Sequence, residues 1–217
     1  MPVERIKKIS AHTQLAIWKI EEDYSFFIEK LNLSPSELDS LSAFKSEERQ
    51  IHWLASRVLI RTLLKTDQFI ELEFDQAGKP ILINFPYEVS ITHSGSYAGV
   101  ILSNAYQVGI DIESLKPQLS KIAHKFIPAS QLSTIDINKD LNILALQWSA
   151  KESLYKLFAK GKLDFREHLF VPSDTLKQNG KLEVSIQKDN FNANFQLNYE
   201  FFDDYVLTYV EDLENLI

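Results

Sequence analysis

The 217-residue chain has no cysteine, which excludes disulfides, thiolate metal sites and a cysteine nucleophile. It also lacks a long apolar run: the longest fall far short of the roughly 20 residues that a membrane-spanning helix needs, so no membrane partner is expected. The opening segment Met1-Pro2-Val3-Glu4-Arg5-Ile6-Lys7-Lys8 has none of the apolar core of about 7–15 residues that marks a secretory signal, and the cytoplasm is the expected location. Acidic residues outnumber basic ones, 30 to 23, and the net charge of -7 argues against nucleic acid, whose phosphates need a basic footprint. A small polyanion held in a local basic pocket stays compatible with that balance. There is no G-x-S-x-G elbow. Neighbours Ser94 and His93 are poorly disposed to act with Asp111 as a serine hydrolase.

What is present is an ordinary globular composition, 45% hydrophobic and 24% charged, in a chain long enough for one large domain or two small ones. Ser34-Pro35-Ser36-Glu37 combines an N-cap, a proline at the first helical position and a capping-box glutamate. Apolar Ile51, Leu54, Ala55, Val58, Leu59 and Leu63 recur at the helical period, predicting a long helix from about Glu47 to Lys65. Short strands are expected at Leu15–Ile20, Ile70–Phe74, Ile81–Ile83, Val89–His93 and Tyr97–Leu102, with a turn at Gln76–Pro80. A strand at Tyr106–Glu113 then opens a second series: a helix near Pro117–Phe126, a long helix at Asp140–Ala159 and strands near Leu182–Ile186, Asn194–Phe201 and Val206–Val210. Strand, short helix, long helix and several strands thus recur. The grouping predicts an α+β fold of two similar lobes, 1–104 and 105–217, with no long linker between them.

Three segments carry candidate chemistry. In Val108-Gly109-Ile110-Asp111-Ile112-Glu113 the period of two places Asp111 and Glu113 on one face, Cα atoms about 6.5–7 Å apart. Two such acids repel unless they are solvated or share a cation, and hard oxygen ligands suit Mg²⁺ or Mn²⁺. A solvent-facing strand end is the more ordinary reading of this spacing alone. Leu144, Trp148, Glu152 and Lys156 form an i+4 stripe that begins apolar and ends charged. It offers a third carboxylate and a cation, or simply an exposed Glu152–Lys156 pair. Finally, Thr92-His93-Ser94-Gly95 closes a strand with anion donors, and Lys79 sits on the Gly78–Pro80 turn. Lys45, Arg49, His52, Arg57 and Arg61 lie along or just before the first long helix, each read most simply as part of a solvated charged face.

Taken in order, Val58-Leu59-Ile60-Arg61, Gly78-Lys79-Pro80, Ile91-Thr92-His93-Ser94-Gly95, Gly109-Ile110-Asp111-Ile112-Glu113 and Trp148-Ser149-Ala150-Lys151-Glu152-Ser153, extended by Lys156 and Lys160-Gly161, resemble the 4′-phosphopantetheinyl transferase superfamily. The similarity is to its two-lobed, surfactin-synthetase-activating branch. It implies two α+β lobes related by a pseudo-two-fold, with the active site between them. It also implies a monomeric enzyme that moves 4′-phosphopantetheine from coenzyme A to a serine of an apo acyl or peptidyl carrier protein, releasing 3′,5′-ADP. By that resemblance Asp111, Glu113 and Glu152 would hold Mg²⁺, with Mn²⁺ as a substitute, and Asp111, Glu152 and Lys156 would be catalytic. Glu152 or a metal-linked water would take the serine proton. Lys79, His93, Lys156 and the backbone from Thr92 to Ser94 would hold the coenzyme A phosphates, with Lys45, Arg49 and His52 toward the 3′-phosphate, where the family usually has more cations. A magnesium-dependent hydrolase of coenzyme A or a related pyrophosphate, and a non-catalytic coenzyme A or carrier binder, are the alternatives. A carrier-docking patch is expected around Ile122–Ile127 with Lys121 and Lys125.

Overall fold

A computed structural model describes residues 3–173 and 177–217. The first series contains β1 (Val3–Lys8), β2 (Thr13–Lys19), α1 (Tyr24–Glu29), α2 (Pro35–Ser42), α3 (Glu47–Leu64), β3 (Leu72–Phe74), β4 (Pro80–Leu82), β5 (Glu88–Ser94) and β6 (Tyr97–Ser103). The second contains β7 (Val108–Ser114), α4 (Gln118–Ile122), a 3-10 turn at Ala123–Lys125, α5 (Ala129–Leu132), α6 (Leu141–Phe158), β8 (Leu169–Phe170), β9 (Asn179–Lys188), β10 (Phe191–Phe202) and β11 (Tyr205–Glu211). The helix starts follow local chemistry. The Ser34 hydroxyl accepts the Glu37 N–H while the Glu37 carboxylate receives the Ser34 N–H, closing the capping box, and Ser46 caps α3 through the Arg49 N–H.

The strands build two antiparallel sheets, β1-β2-β6-β5 and β7-β11-β10-β9-β8, beside the β3-β4 hairpin. In both sheets the order is the same in outline. A strand leads into a long helix, and the last strand of the series returns to pair with it, β6 on β2 and β11 on β7. Parity explains the layering. In β2, Ala16 and Trp18 face the helices α1–α3, while Leu15 and Ile17 face the second sheet, where Val108, Ile110, Ile112, Leu207 and Tyr209 meet them. The other face of β11 and the inner faces of β9 and β10 pack against α6 through Leu144, Leu154, Leu157, Val206 and Val210. The result is helix, sheet, sheet, helix. Both central sheets are covered on two sides, which is why all of β6 is buried.

Strand β1, a span the sequence pattern did not single out, pairs with β2 and reaches across to the second sheet. Arg5 pairs with Glu200, and the Lys7 ammonium donates to the Tyr209 hydroxyl at 3.0 Å. The edges of the two sheets meet where β5 runs beside β7. There the hydroxyls of Ser90 and Thr92 accept the N–H groups of Ile110 (3.2 Å) and Ile112 (3.0 Å). Side chains supply the pairing that backbone carbonyls supply within a sheet, and this seam holds the candidate site.

Candidate active site

The even positions of β7 face the inter-sheet core, so Gly109, Asp111 and Glu113 face α6. Glycine is required there: a Cβ on Gly109 would lie 2.0 Å from the Ser153 carbonyl oxygen and 3.1 Å from the Leu157 nitrogen. Absence of a side chain lets the α6 backbone lie directly on β7. Ser149 and Ser153 secure the same contact from α6, sharing hydrogen bonds with the Thr208 hydroxyl of β11 at 2.9 and 2.7 Å. This close approach carries Glu152 and Lys156 to the acid pair of β7, a consequence that alternation of apolar residues could not reveal.

The ordinary readings of both segments fail for physical reasons. Asp111 is no solvent-facing strand end: it is 6% exposed. Its Oδ1 accepts from the Thr92 hydroxyl at 3.0 Å and from the Lys156 ammonium at 2.7 Å, and Lys156 also donates to the Ile110 carbonyl at 3.0 Å. Lys156 therefore pairs with Asp111 rather than with Glu152 one turn away. Burial, then the Asp111 and Glu113 charges, push the Glu152 carboxyl up to about 7 against a partial offset from Lys156. Burial and Asp111 likewise raise Glu113. The three acids thus feel one another in a partly desolvated place.

Among the described residues no three His, Cys, Asp or Glu side chains are already closed around a point fit for a metal ion. The donor set nevertheless fits a hard divalent cation. Asp111 Oδ2 is buried and has no hydrogen-bond partner, two more carboxylates are held at raised energy nearby, and such a cation takes only part of its shell from protein when phosphate oxygens and water complete it.

Lys156 also lines a cleft of about 380 Å³ between α3, the β3-β4 hairpin, β5 and the end of α6. Arg49, His52, Trp53, Lys79, Ile91, His93 and Tyr155 contribute to its walls. Lys79 is placed there by the turn before it, where Asp75 Oδ1 accepts the Ala77 and Lys79 N–H groups at 2.8 Å and Gly78 adopts a φ of +85°. Its ammonium bonds Glu88 at 2.9 Å and the Gln107 side chain. His52 is buried and its Nε2–H donates to the Gly95 carbonyl at 2.7 Å, so it braces the β5–β6 turn and stacks on His93 with centroids 4.5 Å apart. Burial first, then His52 and Lys156, hold His93 below the usual imidazole range.

Other residues are placed differently from one another. Val89, Ser90, Ile91 and His93 of β5 line the cleft, whereas Thr92 and Ser94, like Asp111, Glu113 and Glu152, are not among its lining residues. Alternation along β5 turns Thr92 toward β7, where its hydroxyl is committed to Asp111 and Ile112. Lys45, exposed before α3, does not line the cleft either. Arg57 is no solvated charge: it is 4% exposed, lies over the Trp53 ring and pairs with Glu37 at 3.3 Å, and burial lowers its pKa to about 10. Arg61 spends its guanidinium on the carbonyls of Lys30 and Asp67. In the expected docking patch Phe126 and Ile127 are core residues, leaving Lys121, His124 and Lys125 exposed. Lys151, quoted only within the α6 motif, is fully buried, donating to the carbonyls of Phe126 (2.7 Å) and Phe165 (2.6 Å), and burial lowers it to about 8.

Comparison with known proteins agrees with this geometry. The model of the 4′-phosphopantetheinyl transferase superfamily matches residues 107–210, the stretch holding Asp111, Glu113, Glu152 and Lys156. 4′-Phosphopantetheinyl transferase Sfp of Bacillus subtilis is 27% identical over 169 residues, 71% of each chain. 4′-Phosphopantetheinyl transferase psf-1 of Bacillus pumilus is 34% identical over 119 residues, 50% of each chain. 4′-Phosphopantetheinyl transferase HetI of Nostoc is 26% identical over 161 residues, 67% of this chain and 68% of that one. The matches span between 50% and 71% of the length of these three relatives. With Lys156 of α6 bonded to Asp111 of β7 and this match falling on both segments, the chain is similar over residues 107–210 to the 4′-phosphopantetheinyl transferase superfamily.

Proposed function

We propose that this protein transfers 4′-phosphopantetheine from coenzyme A to a serine hydroxyl of an apo acyl or peptidyl carrier protein, releasing 3′,5′-ADP. We read it as a cytoplasmic monomer whose two lobes, 1–104 and 105–217, are related by a pseudo-two-fold with the cleft between them. The observation that carries the proposal is the Asp111–Glu113–Glu152 group, its aspartate buried and its glutamates partly so, joined through the Asp111–Lys156 ion pair to a cleft of about 380 Å³ that Lys156 lines, a size suited to a small-molecule site.

In this reading Asp111, Glu113 and Glu152 hold Mg²⁺, or Mn²⁺ in its place. When bound, the cation neutralises the coenzyme A pyrophosphate and eases departure of the leaving oxygen. Lys156, already at the cleft wall, donates to a phosphate oxygen and stabilises the charge that grows there. His93, Lys79 and Arg49 line the same cleft and hold the phosphates, and His52 keeps the turn carrying His93 in place. The serine oxygen forms a bond to the β-phosphorus as the bond to the 3′,5′-ADP oxygen breaks. Glu152, or a water held by the cation, would take the serine proton. No protein nucleophile is needed, since positioning and charge supply the acceleration.

The test is the coupling of products. With coenzyme A, Mg²⁺ and a panel of apo carriers, 3′,5′-ADP should appear one for one with carrier modification and not without carrier. Release of free phosphopantetheine without a carrier would mark a hydrolase, and binding without either product a non-catalytic member.

A further inference from the structure

We propose that Thr92 is a positioning residue that fixes which oxygen of Asp111 is left for the divalent cation. The inference rests on the reading of Asp111 as a metal ligand given above. Thr92 is 3% exposed, and its hydroxyl is fully engaged: its proton goes to Asp111 Oδ1 at 3.0 Å and a lone pair receives the Ile112 N–H at 3.0 Å. The Lys156 ammonium donates to the same Oδ1 at 2.7 Å. Both donors fall on one oxygen, and Oδ2, buried, has none. A buried carboxylate oxygen left bare is costly, so the asymmetry has a use only if something else completes Oδ2.

A carboxylate turns easily about its last torsion, whose wells are broad. Lys156 alone, on a flexible stem, would follow either oxygen. Thr92 removes that freedom because it is itself locked. It sits opposite Gly99 in the β5–β6 register, and its Cγ2 methyl lies 3.0 Å from where a Gly99 Cβ would be. The methyl fills the space glycine leaves, and β-branching holds the hydroxyl toward Asp111. Because Thr92 belongs to the first sheet and Asp111 to the second, the orientation of the metal-facing acid depends on the seam between them.

The experiment is a Mn²⁺ titration, free Mn²⁺ read by electron paramagnetic resonance, with coenzyme A present and no carrier, so that nothing turns over. Thr92→Val keeps the shape and removes the hydroxyl; Mn²⁺ affinity should fall about 10–100-fold, the usual effect of losing a residue that orients a metal ligand. Thr92→Ser restores the hydroxyl and should bind within about threefold of wild type. Ser90→Ala removes the neighbouring seam bond to the Ile110 N–H but touches no carboxylate. It should lower the melting temperature while leaving Mn²⁺ affinity unchanged. Should Thr92→Val fail to fold, Thr92→Cys, with a weaker donor of similar size, is expected to fall between wild type and the tenfold loss. Coenzyme A affinity in chelator should be the same in wild type and the Thr92 variants. Equal Mn²⁺ affinity in wild type and Thr92→Val, an equal loss in Ser90→Ala, or a loss of coenzyme A affinity in chelator by the Thr92 variants would each overturn the inference. A wild type that binds no Mn²⁺ would instead overturn the metal reading, and the inference with it.

Discussion

The two halves use one plan and put it to different ends. Each threads a strand into an 18-residue helix, α3 or α6, and returns strands to pair beside the first. On α3 the buried polar side chains are spent inside the fold: His52 on the Gly95 carbonyl, Ser56 on the Trp53 carbonyl, Arg57 on Glu37. On α6, Lys156 lines the cleft and bonds Asp111, and Glu152 feels the charges of the β7 acids. The difference lies in the strand each helix covers. α3 rests on Ala16, Ala98 and Val100, side chains that hold it off its sheet, whereas α6 rests on Gly109. One missing side chain brings a helix close enough for its polar groups to share a site with the strand beneath.

The sharpest way to break the comparison is to neutralise the second half. Asp111→Asn or Glu152→Gln should reduce carrier modification by about a thousandfold or more while the protein stays folded, as expected when charged groups act as one unit. Near-normal rates in either variant, by intact mass of the carrier, would remove the metal-site assignment. Next come the two glycines. Gly109→Ala meets α6 backbone and should cost about 3 kcal/mol or more, whereas Gly99→Ala meets the Thr92 methyl and the Ile110 Cδ1, side-chain atoms that can shift, and should cost about 1 kcal/mol. Equal melting temperatures for the pair would show that the approach of α6 does not depend on Gly109.

The pH response distinguishes the halves more gently. Glu152 is raised from 4.5 to about 7, so between those values the native state binds more protons than the unfolded one. Stability from this group therefore falls as pH rises through that window. In chelator, Glu152→Gln should match wild type near pH 4.5 and become the more stable protein by up to roughly 3 kcal/mol above pH 7. Urea melts of both proteins at pH 5 and pH 8 measure this, and a gap that does not widen with pH would contradict it. The smallest effect is expected at the surface. Lys121→Glu with Lys125→Glu should raise the carrier Michaelis constant about three- to tenfold, since rim charges steer association, and an unchanged constant would place docking elsewhere.

Local chemistry made much of this legible. The Ser34 cap, both long helices and the shared face of Asp111 and Glu113 can be read from neighbours within one turn or one strand. What the sequence hides depends on contacts between distant segments. Alternation in β7 is that of a strand with one wet face, yet the face bearing Asp111 is covered by α6, some 40 residues later in the chain. The commitment of the Thr92 hydroxyl to Asp111 and Ile112 is hidden because nothing local tells which edge of β5 lies against β7. The burial of Phe126 and Ile127 is hidden for the same reason, while Lys121, His124 and Lys125 beside them stay exposed.

The central claim is that acids of β7 and α6 form one site for moving phosphopantetheine onto a carrier. Its most direct test is the intact mass of apo carrier protein after incubation with coenzyme A and Mg²⁺, comparing wild type with folded Glu152→Gln. The account predicts a gain of one phosphopantetheine on the carrier serine with wild type and none with the variant. The same gain with both, or none with wild type across acyl and peptidyl carriers, would contradict it.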